Sequence, residues 1–151
     1  MSDVRQGVWP SPIDDPYANE ITQPFWDGTA AGRLLGYRCS GCGTFISPPA
    51  PRCFECQGTG FTWTELPGTG SIYSFTVIRH PLAPYLQAAV PYVSAVVELD
   101  GTQGAGARML VNIVDGDPEA VRIGDPVEVT FERVSDTLTV PRFRPASAPA
   151  S

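Results

Sequence analysis

Four cysteines stand in two close pairs, Cys39-Ser40-Gly41-Cys42 and Cys53-Phe54-Glu55-Cys56, with ten residues between the pairs. Two thiolates separated by two residues can both turn inward at a tight knuckle. Two such knuckles facing each other make a closed tetrahedral sulfur site. Every cysteine of the chain falls into this pattern and none is left over. The expected cofactor is one structural zinc ion per chain, held by Cys39, Cys42, Cys53 and Cys56; iron in a rubredoxin-like site would use the same ligands. Four protein ligands leave no position for water, so the ion would build structure and not perform chemistry. A segment of about 30 residues cannot bury enough surface to fold by itself, and metal binding is the usual substitute. Disulfides are disfavoured in a reducing compartment, and a redox pair would be a single CxxC beside a βαβ unit.

The other chemically capable residues do not assemble into a catalytic set. His80, the single histidine, lies between Arg79 and Pro81 at the mouth of a Pro-rich loop. Asp14, Asp15, Asp115, Asp117 and Asp125 sit near Pro and Gly, as turn residues do. Gly68-Thr69-Gly70 is a turn into a strand and lacks the strand–loop–helix setting of a nucleotide motif. No Gly-x-Ser-x-Gly elbow or HExxH motif occurs. All ten basic residues are arginine, which excludes a lysine Schiff base and a P-loop lysine. A net charge of -6 repels a phosphate backbone. No catalytic residue is assigned, and the composition points to a binding or scaffolding module. The chain shows neither an apolar run long enough to span a bilayer nor a signal-peptide pattern, so a cytoplasmic location is expected.

These groups must be positioned by short elements. Residues 1–20 read as an extended arm carrying Trp9, Ile13 and Tyr17. Thr22 is placed to cap a helix over 23–31, with Pro24 in its first turn and Gly32 at its end. The cysteines lie between strands at 34–38 and 61–66. Further strands are expected at 71–79, 92–99, 108–114, 127–134 and 137–143, with a tight turn at Ser135-Asp136 and one helical turn within 117–123. Val127, Val129 and Phe131 alternate with Glu128, Thr130 and Glu132, the pattern of a half-buried strand. The fold class is therefore mainly β: an N-terminal helix, a zinc ribbon and a five-stranded OB-fold barrel, although an SH3-like barrel or small sandwich has similar spacing. The expected divisions are 1–33 (arm and helix), 34–66 (ribbon), 67–144 (barrel) and 145–151 (disordered tail). Phe25 and Trp26 on the helix, and Tyr85 and Leu86 in the loop HPLAPYLQAAVP, are the candidate partner-binding residues.

The phrase Pro24-Phe25-Trp26, the strand GRLLGYRC, the paired CxxC motifs and then GTGSIYSFTVIRHP together resemble the DUF35 family. The most specific part is Gly68, Gly70 and Tyr73 to Val77, directly after the ribbon. The likeness runs from about Ile21 to Phe143. It implies a rubredoxin-like zinc ribbon joined to an OB-fold. It further implies a non-catalytic accessory subunit, in a hetero-oligomer with a thiolase-superfamily enzyme that acts on acyl-CoA: a thiolase, or a retro-aldolase of steroid side-chain degradation. In the steroid case the DUF35 part is often fused to a MaoC-like hydratase, and this chain carries no such segment. Contact with CoA phosphates would fall to arginines, for which Arg33 and Arg79 are the candidates. A competing reading is a nucleic-acid module, since ribbons and OB-folds serve that role elsewhere. Its strand arginines Arg79, Arg108, Arg133 and Arg142 are diluted by Glu98, Glu128 and Glu132.

Overall fold

The computed structural model describes residues 18–102 and 107–146, and the backbone of residues 5–6. Trp9, Ile13 and Tyr17 of the expected arm, and residues 147–151 of the expected tail, lie outside the described residues.

Two strands, β1 (Arg5–Gln6) and β3 (Phe45–Ile46), are only two residues long and carried no periodic signal. The helix α1 runs Gln23–Ala30. The ribbon contributes β2 (Leu35–Cys39) and β4 (Phe61–Glu65), on either side of β3 in the chain. The barrel strands are β5 (Thr69–Ile78), β6 (Tyr92–Leu99), β7 (Arg108–Ile113), β8 (Pro126–Arg133) and β9 (Thr139–Pro145). Strand β6 matches its expected span, and the ends of the other expected strands lie within two residues of where they were expected.

Strands β5, β6 and β7 form an antiparallel meander. Strand β8 then pairs with both β5 and β9, and β9 returns to meet β7 in parallel at Ile113 and Phe143. This closes a five-stranded OB-fold barrel. Along β6, Val93, Ala95, Val97 and Leu99 are buried and the residues between them face outward. In β5 a bulge between Ile72 and Ser74 leaves both Tyr73 and Ser74 exposed and bends the long strand toward two partners. Gly70 has a steric reason: a Cβ there would stand 2.4 Å from the Glu98 carbonyl oxygen. The family-like phrase thus encodes a close strand crossing.

Three expectations need correction. Thr22 stands at the N-cap position of α1 as expected but makes no side-chain capping bond; its hydroxyl instead accepts the Asn19 amide at 3.0 Å, while the Asn19 side chain accepts the amides of Ile21 and Thr22. Strand β9 starts at Thr139, not 137, because the Ser135 hydroxyl accepts the amides of Thr137 and Leu138 and holds them in the turn. Strand β8 is covered on both faces. Val127, Val129 and Phe131 belong to the core as expected, yet Thr130 and Glu132 are also buried. Glu132 is 1% exposed and ion-paired to Arg142 at 3.0 Å, and Arg142 donates to Asn112 at 2.7 Å. Paired in this way, the carboxylate can lie beneath residues of the 88–92 and 113–118 loops.

The ribbon sheet, ordered β3-β2-β4, packs back on the barrel through Leu34, Phe45 and Leu66, which join the barrel core. Helix α1 ties the two units. The buried Thr29 hydroxyl lies between the carbonyl oxygens of Trp26 (2.9 Å) and Thr139 of β9 (2.7 Å).

Candidate metal centre

The two knuckles are built alike. In the first, the Cys39 amide donates to the Thr44 carbonyl (2.8 Å) and the Gly43 amide returns to the Cys39 carbonyl (2.9 Å). In the second, the Cys53 amide donates to Gly58 (2.8 Å) and the Gln57 amide returns to Cys53 (3.0 Å). Each turn closes on a left-handed residue, Gly43 at φ 77° and Gln57 at φ 63°. Strand β2 delivers Cys39, and the residue just before strand β4 supports that knuckle, since the Ser40 amide donates to the Gly60 carbonyl at 2.9 Å.

All four sulfurs lie within 4.8 Å of one another, with Cys39–Cys56 at 3.5 Å and Cys42–Cys53 at 3.6 Å. A tetrahedral ion with sulfur bonds of about 2.3 Å requires sulfurs about 3.8 Å apart, so the donor set and spacing fit one closed, structural site. Among the described residues no other group of three or more His, Cys, Asp or Glu side chains converges in this way. Cys39 and Cys53 are buried; Cys42 and Cys56 are exposed. The thiols also differ in acidity. The Thr44 side chain and amide pull Cys42 down to about 6, and the Cys42 amide lowers Cys39. The Gly58 amide pulls on Cys56, but Cys39, Cys42, burial and Cys53 together push it up to about 11. A cluster this tight holds its protons unequally until a cation displaces them.

Around this centre the ribbon carries an aromatic box. Tyr37 stacks on Phe61 at 4.3 Å and lies 4.9 Å from Trp63, whose indole donates to the Ile21 carbonyl at 3.1 Å. Phe25 and Trp26 meet edge to face at 5.0 Å, and Phe25 reaches Trp63 at 6.0 Å. Both line an apolar cavity of about 210 Å³ where helix, ribbon and barrel meet, together with Tyr37, Pro48, Trp63 and Met109. Tyr85 and Leu86 are elsewhere, on the 3-10 turn Pro84–Leu86 of the β5–β6 loop, where Tyr85 and Leu82 are exposed. The four candidate docking residues therefore form two groups. Arg33 binds Glu65 at 3.0 Å, and Arg79 binds Glu119; both pairs are exposed. His80 is exposed at the start of the same loop. The sequence reading passed over Arg38 and Arg52, each directly before the first cysteine of a knuckle. That repeated Arg-Cys-x-x-Cys was the available signal.

Comparison with known proteins agrees with this architecture. Residues 26–62 match the ChsH2 rubredoxin-like zinc ribbon domain, and residues 63–132 match the ChsH2 C-terminal OB-fold domain. A DUF35 domain-containing scaffold protein of Methanothermobacter thermautotrophicus is 38% identical over 104 residues, covering 68% of this chain and 74% of that protein. A probable enoyl-CoA hydratase alpha subunit of Thermomonospora curvata is 37% identical over 123 residues. The 3-oxo-4,17-pregnadiene-20-carboxyl-CoA hydratase alpha subunit of Mycobacterium tuberculosis is 32% identical over 130 residues. The matches cover 81% and 86% of this chain but only 37% and 40% of those two subunits. Among solved structures, the Ltp2-ChsH2(DUF35) aldolase superposes with a TM-score of 0.76 at 35% identity, covering 87% of this chain and 99% of the matched one. The chain belongs to the DUF35 family, with a ChsH2-type zinc ribbon followed by an OB-fold.

Proposed function

We propose that this chain is a non-catalytic accessory subunit that docks on and supports a thiolase-like acyl-CoA enzyme, of thiolase or retro-aldolase type, in lipid metabolism such as steroid side-chain degradation. The observation that carries this reading is the likeness to the DUF35 chain of the Ltp2-ChsH2 aldolase, which extends over 99% of that chain. The hydratase alpha-subunit names of two relatives support an acyl-CoA setting. In this reading Cys39, Cys42, Cys53 and Cys56 hold one Zn2+. When bound, the ion supplies a cross-link that fixes both knuckles and no reactive position.

Phe25 and Trp26 beside the junction cavity, and Tyr85 and Leu86 on the β5–β6 loop, are assigned to partner docking. Arg33 and Arg79 would meet CoA phosphates by exchanging Glu65 and Glu119 for them. The assigned units are 1–33, 34–66, 67–144 and 145–151, with Pro145, expected in the tail, completing strand β9 of the barrel. No helix among the described residues is long and apolar enough to cross a membrane, and we assign the chain to the cytoplasm. Nucleic acid is not an expected ligand. Of the strand arginines, Arg108, Arg133, Arg142 and Arg144 are all engaged by carboxylates.

The test is affinity capture of the tagged chain from its native host, with bound proteins identified and zinc assayed in the same eluate. Near-equimolar recovery of a thiolase-like enzyme, whose activity or solubility falls when this chain is withdrawn, is the expected result. Full activity and stability of that enzyme without the chain would overturn the reading.

A further inference from the structure

Six described arginines pair with carboxylates: Arg33, Arg79, Arg108, Arg133, Arg142 and Arg144. Arg38, Arg52 and Arg122 have no carboxylate partner among the described residues and donate to backbone carbonyls instead. Arg38 and Arg52 alone of these stand one residue before the first cysteine of a knuckle, and each spends its guanidinium on the carbonyl five residues ahead. The Arg38 Nε donates to the Gly43 carbonyl at 3.2 Å, and an Arg52 terminal NH donates to the Gln57 carbonyl at 3.0 Å. Those acceptors are the two left-handed residues on which the knuckles close. The same device therefore occurs once per knuckle, on two stretches with otherwise different sequences. Arg38 is further seated over the Phe45 ring, 5.6 Å from its centroid, and a Cβ on Gly43 would come within 3.2 Å of its guanidinium.

The charges match as well. Four thiolates around a divalent ion carry a net charge of -2, and partly buried charge must be compensated locally. Arg38 lines a polar cleft together with Cys39 and Cys42. Arg38 is the one formally charged side chain lining that cleft, so its cation is the one that shares the cleft with the thiolates. We propose that Arg38 and Arg52 are a matched pair of positioning residues: each straps its knuckle shut through the left-handed carbonyl, and together they neutralise the tetrathiolate site. This rests on the reading of the four cysteines as the metal centre. The proposal concerns how long the ion stays, not partner binding.

The experiment uses the full chain isolated with zinc, and follows metal transfer to a chromophoric chelator. Residues that orient metal ligands typically change affinity by about 10–100-fold. R38Q/R52Q is expected to lose its ion in that range faster than wild type. R38Q should have a larger effect than R52Q, because Arg38 is half-buried and Arg52 exposed. R122Q removes an arginine that also donates to backbone carbonyls but lies in the barrel segment, and should leave the rate unchanged. R38K/R52K keeps the charges without the planar fork and should restore part of the lifetime. A double Gln variant within twofold of wild type, or an equal change in R122Q, would overturn the proposal. Failure of the Lys variant to restore anything would overturn its charge component. If a variant will not load zinc, cobalt titration reads the site directly: a tetrahedral thiolate spectrum with weakened affinity supports the proposal, and wild-type affinity overturns it. A wild-type chain isolated without any ion, and taking up none, would overturn the metal reading itself, a failure distinct from equal rates in metal-loaded proteins.

Discussion

The main apolar cluster holds thirteen buried residues, ten from the barrel and three, Leu34, Phe45 and Leu66, reaching in from the ribbon; the ribbon's own separate cluster has only Tyr37, Cys39, Ile46 and Cys53. Two of those four are themselves the proposed ligands. The barrel is held by area: at about 25 cal/mol per Å² of apolar surface, side chains such as Val97, Val127 and Phe143 supply its stability without any cofactor. The ribbon has too little such surface, so its order must come from cross-links, which here are the ion, the aromatic box and the arginine straps. One chain thus folds by two different means, and the units meet where Leu34, Phe45 and Leu66 leave the ribbon for the barrel core.

Metal removal should separate the two most sharply. Zinc binding contributes roughly 10–16 kcal/mol in small zinc-finger peptides, far more than this ribbon's apolar contacts can replace. Chelation, or the pair C39S/C53S, is expected to abolish amide protection across β2–β4 and expose Trp63 to quencher. Strands β5–β9 should keep slow exchange apart from positions touching Leu34 and Phe45. Hydrogen exchange by mass spectrometry resolves both regions in one sample. Uniform loss of protection would show that the barrel has no independent stability.

The converse perturbation acts on the barrel. Phe143 is fully buried at the junction of β7, β8 and β9, and F143A is expected to cost about 3–5 kcal/mol. G70A forces a methyl group against the Glu98 carbonyl and should cost about 1–3 kcal/mol. Both should lower the denaturation midpoint of the barrel while leaving zinc stoichiometry at one per chain. Metal loss in parallel with the midpoint would mean the ribbon depends on the barrel more than on its own ligands.

Acid should again act on the ribbon first. Cys42 is lowered from 9.0 to about 6, so its contribution is fully present above pH 9 and is lost as pH falls through about 6. Cys56 is raised to about 11 and still carries its proton at neutral pH, so metal uptake there must release one. Metal affinity should therefore fall steadily from pH 9 to below 6, with proton release on binding. Chelator competition across that range, alongside the barrel's tryptophan-independent circular dichroism, checks it. A flat affinity would remove the thiols from the binding step.

How far the sequence displayed this division depends on the kind of signal involved. Cysteine spacing is local and was legible, and so was β6, whose alternation is strict. Thr130 and Glu132 were misleading because composition does not show that Arg142 of the neighbouring strand, itself held by Asn112, pairs with Glu132 and carries it inside. A two-residue strand such as β3 has no period to detect; its place is fixed by pairing to Tyr37 and Arg38. The straps were present as a repeated Arg-Cys, but an arginine before a cysteine gains meaning only once the carbonyl it reaches is seen.

The smallest effects belong to the surface arginines, and they separate stability from function. Arg33–Glu65 and Arg79–Glu119 are exposed pairs, of a kind worth about 0.2–1 kcal/mol. R33A and R79A should therefore leave both the barrel midpoint and the metal off-rate nearly unchanged. If these arginines meet CoA phosphates in the assembled enzyme, the same variants will raise KM for acyl-CoA in the complex and leave kcat close to wild type, since a phosphate far from the reacting carbon contributes uniform binding. E65A and E119A give the opposite arm: freeing the guanidinium from its carboxylate should lower KM. If all four variants give unchanged KM, the pairs are surface features of the two units and the CoA contact lies elsewhere. If KM rises on one pair alone, the contact is placed on the helix–ribbon side by Arg33 or on the barrel loop by Arg79.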